Sequence, residues 1–217
     1  LTNIAHELRT PLMAANGFMQ IARTGMLQGE GLKSALETVS RNLQEISALV
    51  NDILFLQEMD LILPEFQNVD LGAVVTAAVE PVRGRADQAG TPLSLNIAPG
   101  LPAVRADEKS LTRAISAVLD NAIKFSPEGG EVAIAVGRKG GQLFVKVEDH
   151  GVGIEPKLME RIFERFFHTD EIRGYLFRGI GLGLSITRQV IEAHKGEITV
   201  SSAPGSGTTV VISLPTA

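Results

Sequence analysis

The chain has 217 residues, with 20 basic against 25 acidic side chains, a formal net charge of -5, 44% hydrophobic and 21% charged residues. That composition describes one or two folded domains and excludes a disordered segment; the mild acidity gives no sign of a nucleic-acid or polyanion binder. Cysteine is absent, which excludes disulfides and thiolate metal sites. The histidines, His6, His150, His168 and His194, lack metal-ligand spacing, and no apolar run reaches the roughly 18 residues of a membrane span.

Leu1 opens inside a helical pattern, with no cap, initiator Met or signal peptide. The stretch reads as a cytoplasmic fragment, with any sensor or membrane anchor expected before Leu1. Leu1, Ile4, Leu8, Leu12, Ala15, Phe18/Met19 and Ala22 predict a first amphipathic helix. Leu36, Val39, Leu43, Ile46, Leu49/Val50, Ile53 and Leu56 predict a second, and Gly25, Gly29 and Gly31 mark the turn between them. Two such helices enclose little core alone, so a second copy is expected to complete a dimeric four-helix bundle.

Pro64 and the polar residues to Asn68 read as a linker between a unit at 1–63 and another at 69–217. In the latter, helices are expected over Leu71–Val82, Glu108–Phe125 and Leu182–Ala193. Strands are expected over Leu93–Ile97, Val132–Val136, Leu143–Glu148, Glu197–Ser201 and Thr208–Leu214, with Gly140-Gly141 at one hairpin turn. The order lacks a repeated βαβ unit, so the fold class is α+β. Fourteen of the 22 glycines lie between positions 129 and 207, where close backbone approach suits a ligand.

His6 lies in IAHELRTPL, about 200° around the first helix from both Ile4 and Leu8, and so faces solvent. An imidazole is a competent nucleophile when neutral. Glu7 can accept from one ring nitrogen and leave the other lone pair free to attack. Thr10 sits one turn later on the same face, and Pro11 takes an amide from the helix and predicts a bend. Taken alone, such a histidine reads as a solvated residue beside a kink. The whole segment, however, resembles the phosphoacceptor motif His-Glu-x-x-Thr/Asn-Pro of histidine kinases. That resemblance implies phosphorylation of His6, with Glu7 as its base and Thr10 positioning water for dephosphorylation of a partner.

Four further segments resemble the nucleotide-binding boxes of the same family, whose fold is shared with type II topoisomerases and related ATPases. In LDNAIKFS, Asn121 can offer an oxygen to Mg²⁺ and Lys124, on the same helical face, can meet phosphate. In VEDHGVGI, Asp149 can accept from an exocyclic amine, while Gly151 and Gly153 admit a base to the backbone. In IFERFF, Arg165 can stabilise charge on a transferred phosphoryl group, and Phe163 and Phe166 are expected in the core. In GIGLGL, a glycine-rich turn with Gly179, Gly181, Gly183 and Leu184 presents free amides at a helix start. The intervening His168–Arg178 reads as a lid, with Arg173, Tyr175 and Arg178. GSGT, ending at Thr208, resembles the family's closing motif.

The resemblance implies a sensor histidine kinase core. It would be a homodimer with a Bergerat-type (GHKL) sandwich that binds ATP and Mg²⁺ and passes phosphate from His6 to an aspartate of a response regulator. Two positions depart from the family: Ala117 stands where many members carry Asn, and Ile180 where Thr or Ser is common. The competing readings are an ATPase or serine kinase of the same fold, opposed by the helical hairpin, and a non-catalytic scaffold, a degenerate kinase that dimerises and holds nucleotide without transferring phosphate.

Overall fold

A computed structural model describes residues 2–61, 65–167 and 181–217. The chain divides into two compact units, Leu1–Leu63 and Pro64–Ala217. Among the described residues no helix is long and apolar enough to cross a membrane.

The first unit is a pair of helices, α1 (Thr2–Arg23) and α2 (Glu30–Leu61). Gly25 and Gly29 take positive φ between them, while Gly31 already lies within α2. The helix assignment of α1 runs through Pro11. The expected stripe on α2 separates into two faces. Ala35, Val39, Asn42 and Leu49 are buried against α1, whereas Leu36, Leu43, Val50 and Leu54 stay 41–50% exposed. Leu12, Phe18 and Met19 of α1 are likewise exposed. Two helices cover each other along one seam only, so the flanking apolar row has no cover within the helix pair. Asn42 interrupts the seam: its amide donates to the Thr38 carbonyl at 2.7 Å, and its Oδ1 is buried without a partner.

The second unit has a five-stranded sheet in the order β2-β4-β5-β7-β6. The strands are β2 (Leu93–Ile97), β4 (Val132–Lys139), β5 (Gln142–Glu148), β6 (Glu197–Ser202) and β7 (Thr208–Pro215). All pairs are antiparallel except β2 with β4. That parallel pair makes the sheet mixed, a feature that the strands' own residue patterns do not reveal. A ribbon of β1 (Gln67–Val69) with β3 (Val104–Ala106) is also present; these strands are too short for alternation to signal them. The β4–β5 turn is Gly140-Gly141, both at positive φ, as a two-residue hairpin requires.

Helices α3 (Leu71–Gln88), α4 (Glu108–Lys124) and α5 (Gly183–Ala193) pack on one another and on the sheet. Asp70 caps α3 by accepting from Gly72 N, and Asp107 caps α4 by accepting from Ser110 N, each at 2.8 Å. Leu111, Ile115, Val118 and Leu119 recur at helical spacing on α4 and meet Ile134, Leu143, Val145 and Ile212 of the strands in one core. Leu143 lies on β5, the central strand, with no exposed surface. Leu143→Ala is expected to lower the unfolding free energy by about 2–5 kcal/mol, read from the denaturant midpoint at unchanged slope.

Candidate functional site

Asp149 directly follows β5, which ends at Glu148, and is buried. Its Oδ1 accepts from Gly151 N at 2.9 Å and from Thr208 N at 3.0 Å, while its own amide donates to the Thr208 carbonyl at 2.9 Å. One carboxylate oxygen thus ties the turn after β5 to the start of β7, and Oδ2 takes neither bond. Burial raises the Asp149 carboxyl above its ordinary range, against the two amide bonds that lower it.

The glycines around this carboxylate lie against backbone. A Cβ on Gly151 would overlap the Phe125 carbonyl, one on Gly153 the Ala203 carbonyl, and one on Gly207 the Asp149 carbonyl. Val152 N donates to Phe125 O at 3.0 Å and Gly205 N to Val152 O at 2.8 Å, which holds the end of α4 and the β6–β7 loop against the same turn. Ser202, which sequence reasoning missed, donates to Gly207 O at 2.8 Å, accepts from Ile154 N at 2.9 Å and lies 3.0 Å from the Thr208 hydroxyl. A serine at a strand end is too common to signal such a role. The Phe125 carbonyl was missed because a backbone acceptor leaves no mark in residue type.

Asn121 and Lys124 stand half-buried in the last turns of α4, the Lys124 ammonium 4.9 Å from the Phe125 ring centre. Gly183 opens α5, whose first turn has no side-chain cap. A Cβ on it would lie 3.6 Å from that of Ala117, one turn before Asn121, so the glycine turn and α4 are neighbours. Leu184 follows, half-buried. Gly181, at φ +68, accepts from Phe166 N through its carbonyl at 2.9 Å. Phe166 itself has φ 62, a costly conformation for an aromatic residue. Gly179, Ile180 and the expected lid residues Arg173, Tyr175 and Arg178 fall outside the described residues, as does His168.

In the IFERFF segment the buried residue is Ile162, whereas Phe163 and Phe166 are half-buried. Arg188 of α5 lies 5.5 Å from the Phe163 ring and Arg161 4.5 Å from that of Phe167. This segment lies at the edge of the core, with cations covering its aromatics. The exposed Arg165 guanidinium donates to Gln189 Oε1 of α5 at 3.1 Å.

In the first unit His6 is exposed on α1, Glu7 is half-buried beside it, and the Thr10 hydroxyl donates to the His6 carbonyl at 3.3 Å.

A purine nucleotide fits these residues on two grounds. Asp149 keeps an acceptor oxygen beside glycines that tolerate no side chain, and α5 starts with amides that no side chain caps. Among the described residues no group of three or more His, Cys, Asp or Glu could hold a metal ion. A divalent ion here would therefore take most of its ligands from phosphate and water, as Mg²⁺ commonly does, with the Asn121 oxygen as a protein ligand.

The family described as "Histidine kinase-, DNA gyrase B-, and HSP90-like ATPase" matches residues 106–217. "His Kinase A (phospho-acceptor) domain" matches residues 1–61. The sensor-like histidine kinase SenX3 of Mycolicibacterium smegmatis is 30% identical over 99% of this chain, which covers 56% of that protein. The histidine kinase AdeS of Acinetobacter baumannii superposes with a TM-score of 0.75 at 26% identity, covering 97% of this chain and 98% of that one. Full-length ShkA, solved in complex with AMPPNP, superposes with a TM-score of 0.71 at 27% identity, covering 100% of this chain and 45% of that one. The chain thus spans only part of its curated relatives.

Gly207→Ala would force a Cβ into the Asp149 carbonyl at φ +77. The expected outcome is a loss of more than about 1 kcal/mol of stability by chemical denaturation, with faster amide exchange at Gly151 and Thr208.

Proposed function

The chain belongs to the histidine kinase family, and from that premise we propose that it transfers the γ-phosphoryl group of Mg-ATP to His6 and then to an aspartate of a response regulator. The observation that carries this reading is the presence in one chain of an exposed His6 within HELRTP and a glycine-lined site around the half-engaged Asp149. The AMPPNP held by the ShkA neighbour supports ATP as the nucleotide.

Residues 1–63 are the dimerisation and phosphotransfer unit, 64–68 the linker and 69–217 the ATP-binding unit. Asp149 Oδ2 accepts from the exocyclic amine of adenine, with Gly151, Gly153 and Thr208 shaping the pocket. The amides at Gly181, Gly183 and Leu184 face phosphate, and by family resemblance Gly179 is also a nucleotide-binding residue. Lys124 adds positive charge. The Asn121 oxygen would hold Mg²⁺, which would supply charge neutralisation on the phosphates. Glu7 accepts the proton of one ring nitrogen of His6 and sets the tautomer. The other nitrogen attacks the γ-phosphorus in line, an N–P bond forms, the bond to the bridging oxygen breaks and ADP leaves. Arg165 serves the developing charge, which requires it to leave Gln189. Thr10 orients water for dephosphorylation of the regulator. The exposed row of Leu36, Leu43, Val50 and Leu54 supports a homodimer closed as a four-helix bundle. The reading places this stretch in the cytoplasm, where ATP is supplied.

Incubating the purified chain with γ-labelled ATP and Mg²⁺ tests the reading. The expected label is acid-labile, alkali-stable and absent in His6→Gln, and Asn121→Ala or chelation of Mg²⁺ removes it. Label that survives in His6→Gln sinks the acceptor assignment, and a folded chain that binds nucleotide without labelling is the scaffold instead.

Asp149→Asn keeps an oxygen for the two amides but turns an NH₂ group toward the adenine amine. Affinity for ATP is expected to fall about tenfold to a hundredfold by calorimetry, the size of a hydrogen bond to a charged group. The carboxyl of Asp149 is raised above 3.8, so acidification protonates it earlier than an ordinary aspartate. Wild-type affinity should therefore decline on acidification, beginning at a higher pH than an ordinary aspartate would give, and the pH dependence of the Asp149→Asn variant should be flatter.

A further inference from the structure

His194, at the C-terminal end of α5, is only 4% exposed, and the chemistry above does not use it. Both ring nitrogens are engaged. Nδ1 lies 2.7 Å from the Val190 carbonyl, one turn back, and Nε2 accepts from Asp107 N at 3.0 Å. Nε2 can accept only if Nδ1 carries the proton, which it gives to Val190. Asp107 in turn serves two elements. Its Oδ1 caps α4 through Ser110 N, and its Oδ2 accepts from Glu65 N at 3.1 Å. The next residue, Phe66, sets its ring edge-on to His194 at 4.9 Å, and Gln67–Val69 then pair with Val104–Ala106, which lead directly into Asp107. Partial burial raises the Asp107 carboxyl, yet the hydrogen bonds from Ser110 and Glu65 outweigh it and leave the group lowered.

These contacts join the first described residues after the helical unit to the far ends of two helices whose other ends carry nucleotide-site residues. On α4 those are Asn121 and Lys124; on α5, Gly183 and Leu184. Between the ends, the buried Thr187 hydroxyl bonds to Ala114 O at 3.2 Å, which couples α5 to α4. We propose that Asp107 and His194 form a latch that holds residues 65–69 on the α4–α5 pair, and that His194 is thereby a positioning residue for phosphoryl transfer. The inference rests on the histidine kinase reading: His6 and the nucleotide site lie in different units, and the chain that joins those units enters the second one at this latch. Fixing the last residues of the connection to the two site-bearing helices reduces the freedom lost when acceptor and donor meet.

The test uses the whole chain and three variants. His194→Phe keeps a ring against Phe66 and removes the acceptor; His194→Gln restores an acceptor oxygen. Asp107→Ser keeps the α4 cap, since Ser caps about as well as Asp, but leaves no second oxygen for Glu65. His194→Phe and Asp107→Ser are expected to slow His6 labelling at saturating ATP by about tenfold, the scale of one lost positioning contact. The dissociation constant for Mg-ATP should stay unchanged, amide exchange at 65–69 should accelerate, and His194→Gln should recover most of the rate. A labelling rate left intact in folded Asp107→Ser, or nucleotide affinity that falls in step with the rate, overturns the positioning role. Exchange at 65–69 that does not change in either variant overturns the latch itself. Should His194→Phe fail to fold, Asp107→Ser decides. A wild-type chain that takes no label fails the kinase reading and the positioning role with it, while the exchange measurement still decides the latch.

Discussion

Oδ1 of Asp149 accepts from two amides 57 residues apart in the chain, Gly151 and Thr208, and the nucleotide half of the molecule is arranged around it. A buried carboxylate is costly unless its lone pairs are met. Here two backbone donors meet one oxygen, and in doing so bring the end of β5 against the start of β7. The glycines at 151, 153 and 207 follow from this closure, because each backbone approach leaves no space for a Cβ. Ser202 then ties the turn at Ile154 to the β6–β7 loop. The acceptor left over, Oδ2, is the one proposed to read the base.

The helical unit is governed by a different constraint. A single hairpin can dry one seam, and α2 carries apolar residues on two adjacent faces. The second face, with Leu36, Leu43, Val50 and Leu54, has no cover within the hairpin itself. Asn42 adds a buried acceptor without a donor, which costs free energy wherever it stays dry. Both features leave the isolated hairpin less stable than its length suggests.

Much of this was legible in residue order. Asp149, Gly151 and Gly153 carry their chemistry in residue type, and the structure brings them together with Thr208, which meets Asp149 through its backbone. Gly140-Gly141 marked its hairpin because both positions need positive φ. Elsewhere the sequence was silent for identifiable reasons. Leu36 and Leu49 share one apolar period although one is exposed and the other buried, since periodicity locates an apolar arc and does not say which neighbour covers it. Phe163 looked like core, but the Arg188 guanidinium over its ring face lets the aromatic stay half-exposed. The parallel pairing of β2 with β4 depends on a distant partner, and Phe125 acts through its carbonyl. The network at His194 joins residues from positions 65, 107 and 194, whose types alone suggest nothing.

The mixed sheet bears on the order of folding. The β4–β5 and β6–β7 hairpins join near neighbours in the chain, while β2 reaches β4 only after the chain has passed through β3 and α4. Local pairings close small loops and form early; the β2–β4 and β5–β7 pairings close large ones and come late. The Asp149–Thr208 closure needs the β5–β7 pairing, so the site exists only once the two hairpins have docked. A nucleotide would then stabilise the docked sheet and none of its precursors, acting as a check on assembly.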